Sequence, residues 1–74
     1  MTATAAEILA AAHLADSWAP QVAEGSLTLD QVREFVPQWL LRQRFYGPRR
    51  AERVLSMTLR FIAERNRLEV HHAA

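Results

Sequence analysis

Cysteine and lysine are absent from this chain of 74 residues, and glycine occurs only twice. The lack of cysteine excludes disulfide bonds, catalytic thiolates and zinc sites built on cysteine. Two glycines are too few for a glycine-rich phosphate-binding loop. No run of about 18 apolar residues is present, so no segment is predicted to cross a membrane. The N-terminal stretch has no basic region and carries Glu7, unlike a signal peptide, and we expect a cytoplasmic, bacterial protein.

Side chains that carry catalysis or bind metals are also sparse. His71 and His72 are adjacent, and the one other histidine is His13. A zinc site needs three or four converging ligands, which these residues do not supply. His13, Asp16 and Ser17 lie too close together on one helix to form a line of nucleophile, base and orienting acid. We therefore expect a protein that is not an enzyme and uses neither a metal nor a cofactor.

Length and composition fit one small globular domain. Half of the residues are hydrophobic, which is high for a disordered chain. A domain of this length buries roughly 60% of the surface that its unfolded chain exposes, so a second copy is one way to add buried surface. We expect a single domain over residues 1–74, with frayed ends at about 1–3 and 70–74.

The first predicted helix begins near Thr4, because Thr4 and Glu7 have the spacing of a capping box. Pro20 removes a backbone hydrogen bond and clashes with the preceding turn, so we expect an end or a kink around residues 17–20. Gly25 is expected to close the segment. The apolar stripe of this helix comprises Ile8, Ala11, Ala15, Trp18 and Val22.

The second predicted helix has the clearest start signal. Thr28 and Gln31 can form a capping box, and Leu27 and Val32 occupy the positions of a hydrophobic staple. Pro37 falls inside the helix and is expected to kink it or to start a new one. The apolar stripe comprises Leu29, Val32, Phe35, Val36, Trp39 and Leu40.

The third predicted helix follows Gly47 as its cap and Pro48 as its first residue. At about 100° per residue, one arc of this helix is apolar or small. That arc comprises Ala51, Val54, Leu55, Thr58, Phe61 and Ile62. An arginine stripe lies on the opposite side and comprises Arg49, Arg53, Arg60 and Arg67.

These patterns predict an all-α fold, a small bundle of three main helices with breaks near Pro20 and Pro37. The connections at 24–28 and 45–48 are short, so helices that follow each other in the chain are expected to pack together.

Four aromatic residues have two readings each. Trp18 and Trp39 follow the helical stripes and are expected in the core, whereas exposure would indicate an interface. Phe45 is expected to close the core at the joint before the third helix, and its second reading is stacking on an unpaired base. Tyr46 is placed about equally between that core and the surface, where its ring can stack on an unpaired base.

Charge is divided unevenly along the chain. Residues 1–41 contain one arginine and five acids, whereas residues 42–74 contain eight arginines and three acids. This asymmetry indicates either an anionic partner for the basic half or two halves that fold against each other and partly neutralise. Arginines along a helix can follow a phosphate backbone. The residues predicted to contact nucleic acid are Arg42, Arg44, Tyr46, Arg49, Arg50, Arg53, Arg60 and Arg67. The alternative is a solvated face on which Glu52 pairs with Arg49 and Glu64 pairs with Arg60 or Arg67.

Residues 26–70 resemble the N-terminal core-binding, SAM-like domain of phage-integrase-type tyrosine recombinases. The stretches that carry the resemblance are LTLDQVREFVPQWLLRQR and YGPRRAERVLSMTLRFIAERNRLEV. The resemblance implies a helical DNA clamp in which basic residues on and before the last helix approach the DNA backbone. By position these are Arg49, Arg50, Arg53 and Arg60. The catalytic domain of that family has no counterpart here, so recombination is not implied.

Two functions follow from these observations. The first is a small DNA-binding or DNA-associated accessory module that contacts the phosphate backbone through the arginine stripe. The second is a non-enzymatic protein-interaction module (an inhibitor, adaptor or docking bundle) that binds an acidic protein partner or, as a homodimer, a second copy. A continuous basic face clear of acids would favour the first function. Exposed tryptophans or Met57, or a symmetric dimer, would favour the second.

Overall fold

The computed structural model describes residues 3–44 and 47–73, with side chains as far as residue 67. This part of the chain forms three helices and no strand: α1 is Ala5–Ala23, α2 is Leu29–Arg42 and α3 is Pro48–Ala73. The prediction of an all-α bundle with three main helices is therefore confirmed. Fraying at 1–3 and 70–74 stays a prediction, and Phe45 and Tyr46 lie outside the described residues.

Helix α1 begins and ends where its capping residues predict. The Thr4 hydroxyl oxygen accepts a hydrogen bond from the Glu7 N–H (3.2 Å), and Glu7 Oε1 accepts one from the Thr4 N–H (3.1 Å). This reciprocal pair is the predicted capping box. At the other end Gly25 has a φ of 85°, a left-handed conformation that glycine adopts without steric cost. Its N–H donates to the Val22 carbonyl and helps to end the helix.

Helices α2 and α3 also begin at their predicted signals. The Thr28 N–H donates to Gln31 Oε1 (2.9 Å), and the Gln31 N–H donates to the Thr28 hydroxyl (3.1 Å). Gly47, with a φ of 112°, precedes Pro48 at the first position of α3. Because proline has no N–H and a fixed φ, it suits that first position.

Neither helix ends at its proline, since α1 continues through Pro20 and α2 continues through Pro37. The predicted ends are therefore wrong, and a kink at either proline stays a prediction. Each proline deprives one carbonyl of its helical donor, that of Asp16 and that of Arg33 respectively. Both of these residues are exposed, so water can hydrogen-bond their carbonyls. Side chains that pack on the core lie on both sides of each proline, and beyond Pro20 this is the partly buried Val22. Tertiary packing thereby overrides the local penalty.

The helices do not all pack in chain order. Glu7 pairs with Arg53 and Asp16 pairs with Arg65, so α1 and α3 run parallel. These two helices, which are not consecutive, form the most extensive helix contact. Helix α2 runs antiparallel beside them, and its Trp39 ring lies 6.1 Å from the ring of His13 on α1.

One continuous apolar core joins the three helices. Val32, Val36 and Leu40 enter it from α2, and Val54 and Ile62 enter it from α3. The remaining buried hydrophobic residues are Leu27 and, on α1, Ala10, Ala11, Leu14, Ala15 and Ala19.

The molecule is elongated, with extents of 41 × 24 × 15 Å. Several large apolar side chains of α1 and α2 stay outside the core, and Leu9 and Leu41 are 70% and 62% exposed. Among the described residues no helix is long and apolar enough to cross a bilayer.

Two adjacent leucines test this core assignment. Leu40→Ala should lower the free energy of unfolding by about 2–5 kcal/mol, because Leu40 is fully buried and its loss leaves a cavity. Leu41→Ala should change it by less than about 0.5 kcal/mol, because the Leu41 side chain lies largely in solvent. Urea denaturation followed by circular dichroism measures both. Equal effects would contradict the placement of α2.

Candidate functional site

A fully buried carboxylate lies at the start of the bundle. Glu7 is 0% exposed, although glutamate is rarely buried without a partner. Arg53 donates to it twice, from Nε to Oε1 (2.9 Å) and from Nη2 to Oε2 (2.8 Å). Arg50 Nε donates to Oε2 (3.0 Å), and the Thr4 N–H donates to Oε1. The carboxylate thus caps α1 and binds α3 at the same time.

These contacts favour the ionised form of Glu7. The pKa of Glu7 is lowered from its ordinary value of 4.5 to about 2, chiefly by the hydrogen bonds from Arg53. Burial acts in the opposite direction, and the Thr4 N–H and the positive charge of Arg53 add to the lowering. With four donors on its two oxygens the carboxylate is occupied, so the geometry is that of a structural contact.

A second ion pair joins α1 to α3 further along the bundle. Arg65 Nε donates to Asp16 Oδ1 at 2.6 Å, and its Nη1 donates to the Phe61 carbonyl. The Arg65 guanidinium also lies 5.5 Å from the centre of the Phe61 ring. Sequence analysis did not single out Arg65. In the described part of the chain no three histidine or acidic side chains are grouped so that they could hold a metal ion.

The α3 arginines predicted to contact nucleic acid fall into two groups, those that bind Glu7 and those that are exposed. Arg50 and Arg53 are half-buried and turn towards Glu7. Arg49, Arg60 and Arg67 are exposed on α3, where none forms an ion pair with a described residue.

Two acids lie on the same exposed side of α3. Glu52 and Glu64 alternate in sequence with Arg49, Arg60 and Arg67, and both are exposed. The predicted pairing of these acids with those arginines is not found among the described contacts. The α3 face nevertheless carries three cations and two anions, so it is not a basic face clear of acids.

The remaining predicted arginines lie at the joint between α2 and α3. Arg42 ends α2 and Arg44 follows two residues later, and both are exposed. Arg44 has a φ of 59°, in the left-handed region that non-glycine residues rarely adopt. Because the joint connects α2 to the start of α3, Arg42, Arg44 and Arg49 share one end of the molecule.

Aromatic side chains line an open groove between α1 and α2. The Trp18 and Phe35 rings lie 6.3 Å apart, and Trp39 is half-buried beside them. We call this the aromatic groove; it has a volume of about 280 Å³. Its lining residues are Trp18, Phe35, Gln38, Trp39 and Arg42.

Sequence analysis assigned the tryptophans to the core and did not identify this groove. Both lie partly in the core, but each also presents an edge to the groove. The α2 side of the groove was predictable, because residues 35, 38, 39 and 42 have the i, i+3, i+4, i+7 spacing of one helix face. The buried Glu7 had a signal as well, since it lies four residues before Ala11 on the apolar stripe of α1.

No family model, curated protein or solved structure matches this chain. The resemblance of residues 26–70 to the core-binding domain of tyrosine recombinases therefore stays a prediction.

Replacing Glu7 tests the buried carboxylate. Glu7→Gln keeps the size of the side chain but removes its charge, so two arginines lose their anionic partner. The thermal midpoint at neutral pH should fall on the order of 10 °C. In the wild type the folded pKa of Glu7 lies below the ordinary value, so its contribution is present above pH 4.5 and is lost as the pH falls towards 2.

The variant should therefore show a flatter decline of thermal midpoint between pH 4.5 and 2 than the wild type. Glu34→Gln, which removes the same charge from an exposed position of α2, is the matched control and should keep the wild-type slope. Parallel acid profiles for wild type and Glu7→Gln would show that Glu7 is not held ionised in the fold.

Proposed function

We propose that this protein is a non-enzymatic protein-interaction module that contacts its partner through the aromatic groove. One observation carries the proposal: three aromatic side chains line one open groove at the surface of the domain. Phe35 is 38% exposed although larger apolar residues usually enter the core.

The composition of the groove supports this function. Tryptophan and arginine are enriched among the residues that dominate binding energy in protein interfaces, and such residues cluster in pockets that exclude water on binding. The groove contains two tryptophans and one arginine among its five lining residues. The groove is open to solvent on one side, where a partner can add the buried surface that a small domain lacks.

Binding to the DNA backbone is the second candidate, and one observation favours it. Arg49, Arg60 and Arg67 are exposed and make no ion pair with a described residue. With three phosphate contacts, the logarithm of the binding constant would fall against the logarithm of the salt concentration with a slope of about −3. Proteins whose DNA binding depends strongly on salt make about 6–10 such contacts. The neighbouring Glu52 and Glu64 reduce the positive potential further, so this function ranks second.

Capture from a bacterial extract tests the first function. The immobilised wild type is expected to retain specific proteins, and Phe35→Ala is expected to lose them, because the variant removes one wall of the groove. Leu41→Ala is the matched control, since it removes an exposed apolar side chain that does not line the groove. Retention that is equal for wild type and Phe35→Ala in quantitative mass spectrometry would contradict the proposed function.

Titration with duplex DNA at about 50 mM and 200 mM salt tests the second candidate. Arg60→Glu is the informative variant, because Arg60 is exposed and its replacement leaves the Glu7 contacts intact. Arg53→Glu is unsuitable, since it would place a second carboxylate against buried Glu7. A loss of affinity in Arg60→Glu supports DNA binding, whereas no binding at the lower salt concentration rejects it.

A further inference from the structure

We propose that the partner segment bound by the aromatic groove is acidic: a bulky apolar side chain enters between Trp18, Phe35 and Trp39 while a neighbouring carboxylate pairs with Arg42. This inference rests on the proposed function and names the chemistry of the partner. The charges of the groove, its position on the molecule and its size all favour such a segment.

The charge of the groove has one sign. Among its lining residues Arg42 is the one that carries a full charge, and none is acidic. Arg42 is exposed and forms no ion pair with a described residue, so its guanidinium can donate to an incoming carboxylate. A basic segment would meet Arg42 as a like charge, which disfavours binding.

The two ends of the groove differ in the charge of the residues around them. At the Arg42 end lies the joint to α3, where Arg44 and Arg49 add positive charge without a described ion pair. The opposite end of α2 lies at the turn after α1, where Glu24 and Asp30 are exposed. A partner segment is therefore oriented with its carboxylates towards Arg42.

The size of the groove fits side chains of a peptide. Its volume of about 280 Å³ lies just below the range of about 300–1,000 Å³ typical of sites for drug-sized ligands and cofactors. That space admits one or two large side chains. Gln38 lies on the groove wall, and its amide offers a donor and an acceptor to a peptide group beside the apolar side chain.

A second copy of this chain offers a poorer match. The exposed Ile8 and Leu9 follow an acid, but that acid is Glu7, which is buried and already bound. Leu29 and Asp30 are both exposed, but Asp30 lies 3.6 Å from Arg33 in its own helix. The test therefore measures self-association as one of its outcomes.

Selection from a displayed library of short random peptides tests the inference. The wild-type domain is expected to enrich peptides that contain Trp, Phe or Leu with an Asp or Glu within about four residues on either side. Binding of a selected peptide is then measured by intrinsic fluorescence, because the two tryptophans of the chain both line the groove. Its affinity is expected to fall as salt rises, since the ion pair lies at the surface.

Charge reversal gives the decisive comparison. Arg42→Glu should weaken binding of the selected peptide by roughly tenfold or more, because it replaces attraction by repulsion. Arg60→Glu makes the same charge change on the exposed face of α3 and should leave the affinity within about twofold, since it lies outside the groove. A peptide in which the acid is replaced by Lys should bind Arg42→Glu better than it binds the wild type.

Three results would overturn the inference: enrichment of peptides without acids, equal effects of Arg42→Glu and Arg60→Glu, or a dimer in sedimentation that Phe35→Ala converts to a monomer. The last would assign the groove to a second copy. If capture from extract depends on Phe35 while Arg42→Glu has no effect on the peptide, the interaction function stands and the acidic segment is rejected. If neither capture nor peptide binding depends on Phe35, both proposals fall.

Discussion

The carboxylate of Glu7 is the contact on which the arrangement of the helices depends. It accepts the Thr4 N–H at the start of α1 and three hydrogen bonds from Arg50 and Arg53 on α3. A local capping interaction and a contact that spans 46 residues of sequence thus share one side chain. Because the carboxylate is buried, all of its charge must be compensated within the protein, and this requirement fixes the N-terminal ends of α1 and α3 side by side.

The parallel pairing of α1 and α3 follows from that constraint. Asp16 and Arg65 form a second ion pair between the same two helices, so α1 and α3 are joined at two positions along their length. Helix α2 packs beside them through Val36, Leu40 and its neighbours in the core. Part of α2 stays uncovered, since its Leu29, Phe35 and Leu41 are all exposed. The aromatic groove belongs to this uncovered surface.

The contacts of Glu7 with α3 also reduce the number of arginines in residues 42–53 that are available to a partner. Five arginines between residues 42 and 53 suggest a continuous basic surface when the sequence is read alone. Two of them, Arg50 and Arg53, compensate Glu7 inside the fold. The arginines left at the surface are fewer and alternate with acids on α3, while Arg42 lies beside aromatic rings. The positive charge available to a partner is therefore concentrated at the joint.

Helix boundaries are predictable from this sequence because their causes are local. Thr4 with Glu7 and Thr28 with Gln31 satisfy backbone N–H groups within three residues, and Gly47 with Pro48 sets the start of α3. The apolar arc with Val54, Thr58 and Ile62 is equally predictable, because helical periodicity depends on chain geometry alone. The predicted helix ends at Pro20 and Pro37 were wrong, since a proline's local penalty is outweighed when the flanking turns pack on the core.

Local sequence signals specify the three helices, their caps and the apolar stripe of each. The assembled fold specifies which helices are neighbours, which arginines are bound to acids and where the tryptophans line an open surface. This difference arises from the range over which the interactions act. Capping and periodicity act within a few residues, whereas the partner of a buried charge such as Glu7 is whichever cation the fold brings within hydrogen-bond distance.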